Sequence, residues 1–309
     1  MIVQTINLTK RYGKLVALNN LHLNIEEGDC FGYIGPNGAG KTTTIRILAT
    51  LLQPTWGEAR VCGHVVGYES RKIRPLIGYV PDFFGAYEDM VVQEYLEFFA
   101  AAYDLTGKKR AKIVGDVLDL TDLTYKRDAF VDSLSRGMKQ RLSIARVLLH
   151  DPKVLLLDEP ASGLDPRARI EIRELLKELH RMGKTILISS HILPELADLC
   201  TSLGILEQGE LVFQGTVREA LRQARVGTVV HVITTGDQQR AQQVLSGLAA
   251  VESAHIRDGA LVLTLNSDTT DFSFLAEALI QNRLPIQEIK QEEVNLETAF
   301  MRLTKGIVQ

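Results

Sequence analysis

The chain has 309 residues, of which 45% are hydrophobic and 24% charged, a composition that is ordinary for a globular protein with a buried core. Its formal net charge of -3 gives no general attraction to nucleic acid or anionic lipid, so we expect no nucleic-acid partner. The three cysteines form no CxxC pair, which is typical of reduced thiols. No stretch approaches the roughly 18–20 consecutive apolar residues that cross a bilayer. We therefore expect a cytoplasmic chain that reaches a membrane only through a partner.

Short apolar runs alternate with longer amphipathic stretches over residues 1–225. The clearest runs are FGYIG, KVLLLDE and TILISS. They lack the alternation of a half-solvated strand, which predicts central strands of a parallel sheet that are buried on both faces. Helical patterns follow the runs, so we expect a layered α/β domain with its chemistry at the carboxyl ends of the strands.

Two further regions are predicted from the change in pattern. At about residues 86–150 the sequence becomes almost wholly helical, with apolar residues at helical spacing in VQEYLEFFAAAYDL and KKRAKIVGDVLDL. We interpret this stretch as a helical subdomain inserted into the α/β domain. Residues 226–309 contain strand and helix patterns in alternation, which predicts a small C-terminal α+β domain without a motif tied to chemistry.

A glycine-rich segment follows the first apolar run and matches the P-loop pattern. Its residues are Gly35, Pro36, Asn37, Gly38, Ala39, Gly40, Lys41 and Thr42, followed by Thr43. Glycines let backbone N–H groups converge on phosphate oxygens, and the helix that follows adds its positive end. Lys41 is expected to bridge the β- and γ-phosphates, and Thr42 to ligate Mg²⁺. A glycine-rich turn could match by chance, but the strand before it and the helix after it favour a nucleotide site.

Acidic residues end the second apolar run. We expect Asp158 to hold Mg²⁺ and Glu159, on the opposite face of the strand, to polarise an attacking water as general base. Two solvated acids at a strand exit are the alternative, and the P-loop argues against it. His191 ends the next strand, where it contacts the γ-phosphate or is simply a hydrogen-bonded strand-end residue.

Together with one further motif, these residues resemble the nucleotide-binding domain of ATP-binding-cassette (ABC) ATPases. Leu134-Ser135-Arg136-Gly137-Met138 is similar to the LSGGQ signature of that family and opens a basic amphipathic helix. The resemblance implies that Ser135 and Gly137 complete the γ-phosphate pocket of the opposite subunit. An ordinary serine N-cap is the structural alternative.

Other matches fall in the order of that family and cover residues 1–225. Tyr12 lies where an aromatic residue stacks on adenine, and SGLD, ending at Asp165, resembles the D-loop at the dimer seam. Asp165 followed by Pro166 is also a good helix N-cap on structural grounds alone. The C-terminal region is similar to the accessory domain of ABC-2 exporter ATPases. The resemblance implies an ATP- and Mg²⁺-dependent ATPase that forms a homodimer or heterodimer on a transmembrane permease.

Departures from the family pattern are found at two motifs. Arg136 and Met138 replace glycine and glutamine of the signature. Asp82 occupies the usual position of the Q-loop glutamine, and we hypothesise that its carboxylate retunes Mg²⁺ binding and the rate of hydrolysis. The aromatic residues that follow it, Phe83, Phe84 and Tyr87, are predicted to contact the membrane partner rather than to serve only as core.

The leading hypothesis is therefore the ATP-hydrolysing subunit of an ABC transporter that powers transport, in the direction of export, by a separate membrane-spanning partner. The alternative is a soluble ABC ATPase acting in translation or DNA repair. Those proteins usually carry two cassettes or a long coiled-coil insertion, neither of which this sequence contains.

Overall fold

The computed structural model describes residues 1–83, 85, 89–190, 192–223, 228–257, 259–266, 269, 271–291 and 296–304. The strands are β1 Val3–Tyr12, β2 Leu15–Leu21, β3 Asn24–Ile25, β4 Cys30–Ile34, β5 Trp56–Val61, β6 His64–Val65, β7 Ile77–Val80, β8 Val154–Asp158, β9 Thr185–Ser190, β10 Ser202–Glu207, β11 Glu210–Thr216, β12 Thr228–Thr234, β13 Val251–Arg257, β14 Ala260–Leu265 and β15 Ile286–Gln291.

The helices are distributed among these strands along the chain. They are α1 Lys41–Leu48, α2 Ser70–Ile73, α3 Val92–Ala102, α4 Gly107–Leu120, α5 Arg136–Leu148, α6 Pro166–Arg181, α7 Leu193–Leu199, α8 Val217–Gln223, α9 Gln238–Ser246, α10 Ser273–Gln281 and α11 Leu296–Leu303. Short 3₁₀ turns cover Arg74–Leu76, Thr124–Lys126 and Val131–Ser133. Among the residues that the structure describes, none of the helices combines the length and the apolarity needed to cross a lipid bilayer.

A six-stranded sheet in the order β11-β10-β4-β9-β8-β7 carries the predicted apolar runs. Strands β10, β4, β9, β8 and β7 are parallel, and β11 pairs with β10 in the antiparallel direction. Every residue of β4, β8 and β9 is buried, because helices or a second sheet cover both faces. The carboxyl ends of β4 and β8 therefore lie at the same edge of the sheet.

A second sheet near the start of the chain is antiparallel and was not predicted. Its order is β2-β1-β5-β6, with β3 also paired to β1. One hydrophobic core joins this sheet to α1 and to the central sheet, and it includes Leu8, Leu18, Tyr33, Ile45 and Leu156. This packing holds the residues after β1 against the segment that connects β4 to α1.

Helices α3, α4 and α5 pack on one another between β7 and β8 in the chain order. Arg141 of α5 is 5% exposed and donates to the carbonyls of Thr121 and Asp122, each at 3.2 Å. Its other terminal nitrogen lies 3.5 Å from Glu171 on α6. The buried guanidinium of Arg141 thus connects the end of α4 to α6.

The chain divides into two compact units. One is Met1–Ala220 with the described residues that follow Arg302, and the other is Leu221–Arg302. The second unit contains an antiparallel sheet in the order β13-β14-β12-β15, with α9 and α10 in the same unit. It has a hydrophobic core of its own, which includes Val230, Leu263 and Leu279. Strand β13 was not predicted, since most of its side chains are exposed.

Candidate functional site: the P-loop pocket

The turn between β4 and α1 has the backbone geometry that a phosphate cradle needs. Gly38 and Gly40 have φ angles of 83° and 109°, which favour glycine over any residue with a side chain. A Cβ on Gly40 would lie 2.6 Å from the carbonyl oxygen of Ala17. Gly40 is therefore favoured both by its φ angle and by the close approach of the neighbouring backbone, and Gly38 by its φ angle. The turn leads directly into the N-terminus of α1, the end of a helix that attracts anions.

Lys41 is the first residue of α1 and is only 6% exposed. Its Nζ donates to the carbonyls of Gly35 and Pro36, at 2.7 and 3.3 Å, and lies 3.7 Å from Oε1 of Glu159. Burial lowers the pKa of the Lys41 ammonium, while the carboxylates of Glu159 and Asp158 oppose that shift. The result is a desolvated cation at the mouth of the glycine-rich turn, suited to an anionic ligand.

Asp158 connects the end of β8 to the P-loop. It accepts hydrogen bonds from the hydroxyls of Thr42, at 3.1 Å, and Ser189, at 2.9 Å. Burial raises the pKa of Asp158, and the two hydroxyl donors counteract this effect. Ser189 was not identified from the sequence, although its place on β9 beside β8 was a possible signal. Its pairing with Asp158 in the parallel register explains the contact.

Glu159 lies just past the end of β8 and has a φ angle of 51°, in the left-handed region. Its backbone N–H donates to the hydroxyl of Ser189 at 3.0 Å. Strand alternation predicted that Glu159 would lie on the face opposite Asp158. The left-handed turn changes this arrangement, because the strand ends at Asp158 and both carboxylates then reach the P-loop side.

A cavity of about 600 Å³ opens at this edge of the sheet. It is lined by Tyr12, Leu15, Ala17, Gly35, Pro36, Asn37, Gly38, Ala39, Gly40, Lys41, Thr42, Thr43, Asp82, Glu159 and Ser162. Tyr12 is 47% exposed, and the ammonium of Lys10 lies 5.3 Å from the centre of its ring. The volume is within the range of small-molecule and cofactor sites. The structure thus brings Tyr12, Asp82 and Glu159 to the same pocket as the predicted P-loop.

Ser135 and Gly137 do not line this pocket. Ser135 is the N-cap of α5 and accepts a hydrogen bond from the N–H of Met138 at 3.3 Å. Gly137 packs against α6, where an ideal Cβ would lie 2.6 Å from the Cβ of Ala168. The N-cap that was the structural alternative is therefore present, and it is compatible with a further role. The predicted contact of His191 lies outside the described residues.

Hard oxygen ligands for a divalent cation meet beside the P-loop. The hydroxyl of Thr42 and the carboxylate of Asp158 are 3.1 Å apart, and both belong to the chemical class that Mg²⁺ prefers. Asp82 supplies a further carboxylate on the wall of the cavity. The donor set fits a magnesium ion that keeps water and phosphate oxygens among its ligands.

Comparison with known proteins identifies the family. A family model described as ABC transporter matches residues 18–162. The chain is 31% identical, over 98% of both sequences, to the linearmycin resistance ATP-binding protein of Bacillus subtilis (strain 168). It is 36% identical to the Nod factor export ATP-binding protein I of Burkholderia lata, over 96% of this chain and 95% of the relative.

The chain belongs to the ABC transporter family. Among solved structures, this ABC ATPase is similar to the dimeric structure of a bacterial ABC transporter cassette, at a TM-score of 0.63 and 30% identity. That similarity covers 69% of this chain and 98% of the cassette. A second dimeric structure with the same values is of a post-hydrolysis state bound to ADP and Pi. The predicted family, fold class and ATPase activity are thereby confirmed.

Proposed function

We propose that this ABC ATPase powers export by a separate membrane-spanning partner and binds that partner at the cytoplasmic face of the membrane. The proposal is supported by similarity along nearly the whole chain to relatives named for Nod factor export and linearmycin resistance. The observation that carries it is the single cavity in which the P-loop, Tyr12, Asp82 and Glu159 meet.

In the proposed mechanism the P-loop binds the phosphates of ATP, and Tyr12 stacks on the adenine ring. The ammonium of Lys41 neutralises the β- and γ-phosphates, because it is buried in the glycine-rich turn, where the carbonyls of Gly35 and Pro36 hold it. Glu159 accepts a proton from the attacking water as general base. Its carboxylate is 15% exposed, lies 3.7 Å from the ammonium of Lys41 and lines the pocket.

Thr42 and Asp158 would hold Mg²⁺, with Asp82 as an additional acidic group on the cavity wall. When bound, the cation neutralises charge on the phosphate oxygens. Ser189 keeps the carboxylate of Asp158 oriented towards Thr42 by the hydrogen bond of 2.9 Å. We thus place Ser189 as a positioning residue for the metal site.

Two cassettes are proposed to sandwich two ATP molecules, with the P-loop of one chain facing Ser135 and Gly137 of the other. Ser135 caps a helix whose first turn contains no acidic residue, so its positive end is free to attract the γ-phosphate. The dimeric cassettes among the similar structures support this arrangement. His191 is proposed to contact the γ-phosphate from within the same chain.

The membrane partner is proposed to bind beside Asp82, where Phe83 is 81% exposed. An aromatic side chain with this exposure is typical of a protein–protein contact. Phe84 and Tyr87, which the same prediction includes, lie outside the described residues. A partner bound here would sense the pocket through the neighbouring carboxylate of Asp82.

An affinity purification of the tagged chain from detergent-solubilised membranes of its own cell, with nuclease added, tests the proposal. We expect a stoichiometric polytopic membrane protein to co-purify, and Phe83→Ser to reduce its recovery. The matched control is Tyr68→Ser, which removes another highly exposed aromatic ring, 91% exposed, outside the predicted contact. Recovery of soluble partners alone would instead favour an ABC ATPase of translation or DNA repair.

A further inference from the structure

The signature segment contacts the segment after Glu159 within the same chain. Arg136, the first residue of α5, extends its guanidinium over Gly163. The Cζ and Nη2 atoms lie 2.6 and 2.7 Å from the position that a Cβ on Gly163 would occupy. Gly163 has a φ angle of 65°, so the turn favours glycine, and the missing side chain leaves space for the arginine.

This contact is fixed by the close approach of α5 and α6. Gly137, the next residue of α5, packs on Ala168 so closely that a Cβ would not fit. On the other side of the contact, Ser162 lines the ATP cavity and its N–H donates to the carbonyl of Glu159 at 3.0 Å. Arg136 therefore bridges the signature segment and the wall of the ATP pocket in its own chain.

The charge of Arg136 is unfavourable where it stands. A cation in the first turn of a helix opposes the helix dipole, and α5 carries no acidic residue there to offset it. The residue also occupies a position where the family signature has glycine. A residue that opposes the local preference of its helix, as Arg136 does, is typical of a functional position.

We propose that Arg136 is a positioning residue that couples the two ATP sites of the dimer. The inference rests on the proposed function, in which Ser135 and Gly137 of one chain face the ATP bound by the other. Closure of the signature segment on the partner's ATP moves the guanidinium of Arg136 against Gly163. That movement shifts Ser162 and the start of the loop that holds Glu159, so binding at one site prepares hydrolysis at the other.

The test measures the rate of ATP hydrolysis against MgATP concentration with the full-length chain, in complex with its membrane partner where that co-purifies. We expect the wild type to have a Hill coefficient well above 1, with about 2 as the limit for two sites. Arg136→Gly restores the family residue and is expected to bring the coefficient to about 1. Arg136→Lys keeps the charge without the planar group, and we expect the same loss.

A double-mutant cycle with Gly163→Ala tests the contact itself. The added methyl group enters the space of the guanidinium, so the variant is expected to lose cooperativity when Arg136 is present. The fold-change in kcat caused by Gly163→Ala should be at least about threefold smaller in the Arg136→Gly background than in the wild type. The effects of substitutions at two residues in contact are not additive. Alanine at the positive φ angle of residue 163 is strained whether position 136 holds arginine or glycine, so this strain cancels in the cycle.

A wild-type Hill coefficient of 1, an unchanged coefficient in Arg136→Gly, or strictly additive effects in the cycle would each overturn the coupling. These results would leave a working transport ATPase in place. Failure of the wild-type complex to hydrolyse ATP would instead contradict the proposed function. Thermal unfolding with and without ATP identifies any variant that has lost its fold, and Arg136→Lys then supplies the least disruptive substitution.

Discussion

Asp158, Thr42 and Ser189 form the hydrogen-bonded centre of the site, and Glu159 completes it from the next position of the chain. The left-handed backbone at Glu159 decides where its carboxylate points. At the scale of single residues, two carboxylates with different partners can therefore have separate tasks, one towards a cation and one towards water.

Glu159→Gln removes the proposed general base and keeps the size of the side chain. We expect kcat to fall by about 10²–10⁴-fold, the contribution of a positioned base, while ATP still binds. Phosphate release and the ATP-induced shift in melting temperature measure the two properties. Glu174→Gln, which removes a half-exposed carboxylate on α6, is the control and should hydrolyse ATP normally. A wild-type rate in Glu159→Gln would contradict the mechanism.

Asp82→Gln replaces a carboxyl group on the cavity wall, which we propose as a Mg²⁺ ligand, with the residue usual for the family. We expect the Mg²⁺ concentration for half-maximal hydrolysis to rise by about tenfold, because an acidic ligand of the metal is lost. At saturating Mg²⁺ we expect kcat to rise, since the carboxylate no longer repels the γ-phosphate. Titration of activity with Mg²⁺ tests both effects, and the hypothesis is wrong if neither changes.

The sequence was informative for residues whose chemistry follows from a local motif, and less so for residues placed by tertiary contact. Lys41 and Thr42 follow from the P-loop pattern, and the structure places both in the cavity. Ser189 and the contact of Arg136 with Gly163 depend on how separate segments approach each other. No periodicity or spacing encodes the approach of Arg136 to Gly163, so that contact could not be predicted, whereas the place of Ser189 near the end of β9 was a signal that the sequence offered.

At the scale of elements, α5 is the helix that connects the signature to the rest of its unit. Its N-terminus carries Ser135 and Arg136, and its buried Arg141 reaches both the end of α4 and the side of α6. Because α5 is a rigid element, a displacement of its N-terminus also moves the rest of the helix.

Arg141→Ala should lower the free energy of unfolding by about 2–3 kcal/mol, because the buried carbonyl of Thr121, the part-buried carbonyl of Asp122 and the carboxylate of Glu171 lose their partner. Arg167→Ala is the matched control. Arg167 also pairs with Glu171, but its side chain is 90% exposed, so its loss should cost less than about 0.5 kcal/mol. Urea denaturation measures both variants. Equal losses would show that burial of Arg141 is not what stabilises the helices.

Elements with a strong pattern were predicted well, and those that depend on pairing with distant strands were not. The buried runs of β4, β8 and β9 are apolar throughout, and the sequence located them. The antiparallel sheet of β1, β2 and β5 has irregular burial and register shifts, so neither face gives a clean period of two.

At the scale of the molecule, the two compact units have separate hydrophobic cores. The residues of the ATP cavity all belong to the unit that contains Met1–Ala220. Loss of packing in the second unit should therefore leave the phosphate-binding turn intact, because each unit has a hydrophobic core of its own.

Leu263→Ala tests this independence. Leu263 is fully buried in β14, so the substitution should destabilise the second unit by about 3 kcal/mol. We expect the Kd for ATP to stay within about twofold of the wild type, since the two cores are separate. Leu156→Ala, an equally buried leucine in β8, is the control and should weaken ATP binding. Loss of ATP binding in Leu263→Ala would contradict independent units.

The buried ammonium of Lys41 has a consequence for the lifetime of the protein in the cell. Burial disfavours its charged form, the carboxylates of Glu159 and Asp158 partly oppose this effect, and a bound phosphate would add a further opposite charge. A ligand at 100 times its Kd stabilises a folded chain by about 2.7 kcal/mol, which lowers the unfolded fraction available to proteases about 100-fold. We therefore expect the abundance of this ATPase in the cell to follow the supply of ATP, as its turnover does.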